Sequence, residues 1–70
     1  MYQFYFLKIR KVNVHKAYDI LSNRRKLGDI DRWCFRRWDE DAVLCVFSLI
    51  VSDDYETIKN EFKLAGIQIL

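Results

Sequence analysis

Apolar positions along this chain switch between a spacing of two and a spacing of three to four, and each switch marks the end of an element. Tyr2 to Lys11 alternates and predicts a strand, with Tyr5, Leu7 and Ile9 on one face and Phe4, Phe6, Lys8 and Arg10 on the other. From Asn13, a good N-cap, the spacing lengthens. Val14, Ala17, Tyr18 and Leu21 form the stripe of an amphipathic helix. Ser22-Asn23-Arg24-Arg25-Lys26 puts cations where a helix dipole favours them, and Gly28 is placed to stop the helix. Beyond the middle of the chain, Asp53 and Glu56 have capping-box spacing, and Tyr55, Ile58, Phe62 and Ala65 follow as a second stripe. Gly66 ends it before a short strand, Ile67 to Leu70.

Between the two helices lies Arg32 to Ser52, which holds both tryptophans, both cysteines and the longest apolar run. It reads as a β-hairpin. Asp39-Glu40-Asp41 separates two segments rich in aromatic and β-branched residues, and Asp favours a turn there. With those residues as the loop, Phe35 opposes Cys45 and Trp33 opposes Phe47, whereas a two-residue turn would shift the pairing and invert part of the faces. One face then carries Trp33, Phe35, Val43, Cys45, Phe47, Leu49 and Val51, which is a core face. Its reverse carries Arg32, Cys34, Arg36, Trp38, Leu44, Val46, Ser48 and Ile50. The distal strand thus stays apolar on both sides, where a strand with one wet face should alternate.

The element order β-α-β-β-α-β fits an α+β, ferredoxin-like architecture: a four-stranded antiparallel sheet with two helices on one face, the first and third strands central. Seventy residues make a single domain, 1–70, whose core would supply on the order of a few kcal/mol, so dimerisation is a plausible further source of stability. An apolar fraction of 51% with 16% aromatic residues excludes disorder. The hairpin register places Cys34 and Cys45 on opposite faces, which predicts two reduced thiols in a cytoplasmic protein. The start of the chain lacks signal-peptide order. Val43 to Val51 is far shorter than the roughly 20 residues a membrane span needs.

Charge is uneven. Residues 1–38 hold ten Lys/Arg against three Asp/Glu, net +7, and residues 39–70 hold two against seven, net −5. Such a split suggests a basic surface, but the expected topology mixes the two halves in space. Lys8, Arg10 and Lys11 should meet the Asp39-Glu40-Asp41 turn, and Arg24-Arg25-Lys26 should meet Asp53, Asp54 and Glu56.

Catalytic chemistry finds little support. His15 lies in the first turn of a helix beside Lys16, with no serine or cysteine placed to be its nucleophile. The two glycines are 38 residues apart and form no phosphate-cradling loop. The acidic triplet offers three carboxylates at most and no EF-hand pattern. No enzyme activity, metal or cofactor is predicted.

Binding readings are stronger. The chain resembles the RNA recognition motif in its element order and in the outward rings Phe4 and Phe6. That resemblance implies a single-stranded RNA or DNA site at Phe4, Phe6, Lys8, Arg10, Arg36 and Arg37. The third strand departs from it, offering Leu44, Val46 and Ser48 where the motif has glycine and outward rings. Protein association suits the pattern better. Phe4, Phe6, Arg36, Trp38, Leu44 and Val46 would form an apolar patch with interface anchors on the open face and second strand. The expectation is a non-enzymatic regulator or inhibitor contacting a protein partner or its own copy.

Overall fold

A computed structural model of the chain describes residues 3–50 and 54–70. The elements are β1 (Gln3–Arg10), a 3-10 turn (Lys11–Asn13), α1 (Val14–Leu27), β2 (Ile30–Arg37), β3 (Ala42–Leu49) and α2 (Asp54–Leu64). The strands form one antiparallel sheet in the order β1-β3-β2. β3, the strand that is apolar on both sides, is therefore the central one.

The predicted four-stranded sheet is replaced by a three-stranded one. Residues after α2 reach the outer edge of β1 and make only an Ile9–Ile69 bridge, with Leu70 N–H donating to Lys8 O at 2.8 Å. The cause lies in how α2 ends. Gly66 adopts φ +82°, its N–H donates to Lys63 O, and Ile67 N–H donates to Phe62 O. This pattern turns the chain back and folds the next apolar residue onto the helix. Ile67 is accordingly buried, spent on capping and core, and too little backbone remains for a ladder. β1, predicted central, is an edge strand met at one end only.

α1 ends in the same way. Gly28 sits at φ +88°, Gly28 N–H donates to Arg25 O and Asp29 N–H to Arg24 O. Its start differs from expectation: Asn13 has φ −97° and ψ 5° and makes no side-chain cap. An N-cap needs extended backbone to aim its side chain at the first turn, and the preceding 3-10 turn denies Asn13 that shape. The predicted Asp53–Glu56 capping box involves a residue outside those described.

The core is one cluster between the sheet and both helices: Leu7, Ile9, Ala17, Leu21, Ile30, Cys45, Phe47, Leu49, Ile58, Phe62 and Ile67. Tyr5, Tyr55 and Phe47 stack beside it, with Tyr5 and Tyr55 ring centroids 5.0 Å apart. Tyr18, predicted in the buried stripe, is half exposed. One position round from Ala17, it meets Trp33 edge-on at 5.0 Å. Ala65, also placed in a stripe, is exposed past the end of α2. Val51 of the predicted core face lies outside the described residues.

The charges mix as the topology suggested at one end of the domain and with different partners at the other. A main-chain bond from Lys11 N–H to Asp41 O at 2.7 Å holds the segments together, and Arg10, Lys11, Glu40 and Asp41 line one depression without forming an ion pair among the described residues. Arg24 bonds Asp29 at 2.7 Å and Glu61 at 3.0 Å, tying α1 to its own exit loop and to α2. The hydrogen bond to Glu61, then that to Asp29, holds the Arg24 guanidinium above its ordinary pKa.

Candidate partner-binding face

The hairpin has the register that the turn implied, with Phe35 opposite Cys45 and Trp33 opposite Phe47. Asp39 closes the loop: its Oδ1 accepts from Asp41 N–H and Ala42 N–H at 2.8 Å each. One of the three carboxylates of the turn is thus engaged by backbone. Among the described residues no group of three or more His, Cys, Asp or Glu gathers as a metal site.

Both helices lie on the face of Trp33, Phe35, Cys45 and Phe47, so the other face is open. Pairing across the three strands arranges it in rows. Phe6 lies opposite Val46, and Val46 opposite Cys34. Lys8 lies opposite Leu44, and Leu44 opposite Arg36. Phe4 pairs with Ser48 and Arg10 with Ala42, and Trp38 N–H donates to Ala42 O. Phe4, Phe6, Arg36, Trp38, Leu44 and Val46 are thereby brought onto one surface. Phe4, Phe6 and Trp38 are exposed by 58%, 54% and 57%, while Leu44 and Val46 are half-buried. Rings this open on a sheet face exceed what scattered surface apolar residues account for.

Contacts within the chain organise both ends of the face. Lys8 Nζ stands 4.5 Å from the centre of the Trp38 ring, a cation–π contact that draws the indole across β3 beside the buried Ala42. At the other end, pairing slips between Ile30 and Trp33, and Ser48 fills the irregularity. Arg32 N–H donates to Ser48 Oγ at 3.1 Å, and the hydroxyl reaches Arg32 O at 3.5 Å. Ser48 faces outward by alternation and is buried all the same. These locks were missed in the sequence, since the Lys8–Trp38 contact is diagonal across two strand spacings and the slip leaves no local mark.

Electrostatically the face is one-sided. Its strand positions carry Lys8, Arg10, Arg32 and Arg36, against one acid, Asp31, which shares the bulge with Arg32 and lines a depression with Phe4 and Ser48. Arg32 reaches Asp31 at 3.7 Å with both side chains well exposed. Lys8, Arg10 and Arg36 make no ion pair among the described residues, in contrast to Arg24. Arg37 is separated from this group, because it pairs with Val43 and shares the helix-covered side.

The cysteines are free, Cys34 exposed on the open face and Cys45 buried beneath it. Burial pushes the Cys45 thiol up to about 12. His15 is exposed on α1. No helix among the described residues is long and apolar enough to cross a membrane. Comparison with protein-family models, with curated proteins and with solved structures finds no match to this chain.

Proposed function

We propose that the chain is a non-enzymatic binding protein that contacts a protein partner through its open sheet face and β2, regulating or inhibiting that partner by covering its surface. The observation that carries this is the exposure of Phe4, Phe6 and Trp38 beside Leu44 and Val46 on a face that neither helix covers. Aromatic and arginine side chains around an apolar centre are the composition of interface hot spots. Charge favours a different protein over a second copy. Packing two open faces together would set Lys8, Arg10, Arg32 and Arg36 against the same four cations.

The test replaces Trp38 by Ala and Val46 by Asp together, two outward positions, so that the helical circular dichroism should stay intact. Capture of binding proteins by the wild type and loss of that capture in the variant is the expected result. Equal capture by both would remove the open face from the reading.

One observation favours a second reading, single-stranded RNA or DNA: Phe4 and Phe6 share the open face with Lys8, Arg10 and Arg36, and the one acid near them, Asp31, lies at the Phe4 end beside Arg32. Bases could stack on the rings while cations meet phosphates. A labelled oligothymidylate or oligouridylate titrated at rising salt tests it, since phosphate contacts make affinity fall steeply with salt. Absent or salt-insensitive binding removes this reading.

A further inference from the structure

The sheet has two outer edges, and they differ in how much of their backbone is already used. On β1, Phe6 O accepts from the Tyr55 hydroxyl at 3.4 Å, and Lys8 O accepts from Leu70 N–H beside the Ile9–Ile69 bridge. On β2 and one residue past its end, Arg32 N–H and Trp38 N–H both point to β3, toward Ser48 Oγ and Ala42 O. In an antiparallel ladder, alternate residues turn both backbone groups to the same side. Trp33, Phe35 and Arg37 therefore turn theirs outward. Arg25 Nε bonding Asp31 O at 3.2 Å marks the same outward direction where β2 begins. From Trp33 to Arg37 no hydrogen bond among the described residues reaches those outward groups.

We infer that the partner presents an extended segment of alternating apolar and acidic residues, which adds to this free edge of β2. The inference rests on the protein-binding reading above and specifies the segment that is bound. Backbone N–H and C=O in register are what an unpaired edge selects, and a peptide strand supplies both where a nucleic acid supplies neither. The two rows of side chains flanking the edge set the sequence of the added strand. On the helix side, Tyr18, Trp33 and Phe35 form a ledge of edge-on rings, with centroids 5.0 and 5.5 Å apart, and Tyr18 is half exposed. Apolar residues of the segment pack there.

On the open side the edge is lined by Arg32, Cys34 and Arg36, with Asp31 beside Arg32 at the bulge where β2 begins. Arg36 has no ion pair among the described residues, and Arg32 has only its exposed neighbour Asp31 at 3.7 Å. Carboxylates on the alternate positions meet these guanidiniums across the strand pair. The same charges argue against a second copy as occupant. Antiparallel pairing of β2 with β2 centred on Cys34 would set Arg32 of each strand directly against Arg36 of the other.

The experiment uses the whole chain, labelled with nitrogen-15, and a capped peptide of about eight alternating valine and glutamate residues, long enough for one strand. A capped valine–lysine peptide is the control. With the glutamate peptide at saturation, amide exchange at Trp33, Phe35 and Arg37 should slow about tenfold. Arg36→Glu should weaken the glutamate peptide about fivefold and strengthen the lysine peptide, as reversal of one cross-strand charge pair does. Unchanged exchange at the three amides, or equal binding of the two peptides, overturns the inference. Shifts confined to Phe4, Phe6 and Val46 overturn the edge while leaving the protein-binding reading intact. Binding of oligothymidylate with no binding of either peptide overturns both.

Discussion

Cys45, Phe47 and Leu49 on one side of β3 are sealed between sheet and helices, while Leu44 and Val46 on the other side stay half-buried among open rings. The residues on the two sides are chemically alike, so hydrophobicity alone does not decide their fate. Topology does. β1 and β2 run in the same direction on either side of β3, and α1 connects them as a crossover, which right-handedness confines to one face. α2 packs on that same face through Ile58 and Phe62. The opposite face keeps an apolar centre that the fold does not use, and the unused centre is the candidate for function.

The largest effect should come from making the two sides answer the same mutation. Phe47→Ala empties a fully buried ring site and should cost about 3–5 kcal/mol, enough to unfold most of a domain this small. Val46→Ala, one residue along on the open side, should cost well under about 1 kcal/mol, because little surrounds the side chain to leave a cavity. Urea denaturation of both variants measures the contrast. Comparable losses would mean that the open face is packed in solution by something other than the two helices.

How legible this contrast was depends on whether the cause is local. The hairpin register could be read because Asp39-Glu40-Asp41 fixes the loop and a period of two fixes the rest, and Phe35–Cys45 and Trp33–Phe47 follow from those two facts. The ferredoxin-like order put this strand in the centre of the sheet, and its apolar reverse side stood out against the alternation that one wet face requires. The missing strand was not legible. Ile67 looks like a strand residue, but its destiny is set by the Gly66 turn that folds it onto Phe62. Nor was Tyr18, whose partner Trp33 sits on a strand that the sequence alone does not place under α1. In the candidate site, all six apolar and arginine residues picked from alternation share the surface, and β2 lies at an edge as the strand order implied. The ledge of Tyr18, Trp33 and Phe35 beside that edge was not legible, because it depends on how α1 packs on β2.

Cys45 and Cys34 provide a chemical version of the two-sided comparison. The folded-state pKa of Cys45, about 12, lies above its ordinary value of 9.0, because burial disfavours the thiolate. A raised folded pKa means that the stabilisation is whole below pH 9.0 and drains away as the pH rises toward about 12, where the unfolded thiol ionises and the folded one resists. In that window each pH unit should remove up to about 1.4 kcal/mol. Stability of the wild type minus that of Cys45→Ala, followed from pH 8 to 11 on the order of half-unit steps, isolates the slope from other titrating groups. A thiol reagent at neutral pH should meanwhile label Cys34 and spare Cys45, until the domain is unfolded.

The smallest effect tests whether the open face is shaped in advance. Lys8 holds its ammonium 4.5 Å from the Trp38 ring centre, an exposed cation–π contact worth about 0.5–1 kcal/mol. Lys8→Gln removes the charge and keeps most of the length, so the loss of stability should fall within that range. Its consequence for Trp38 should be easier to see. With the indole no longer drawn across β3, Trp38 should become more open to a fluorescence quencher, while Trp33, wedged between Tyr18 and Phe35, should not change. Quenching of Lys8→Gln in a Trp33→Phe background reads Trp38 alone. An unaltered quenching constant would mean that the strand pairing beside Ala42, rather than the lysine, holds the ring in place, and the partner would then meet a surface organised by the backbone.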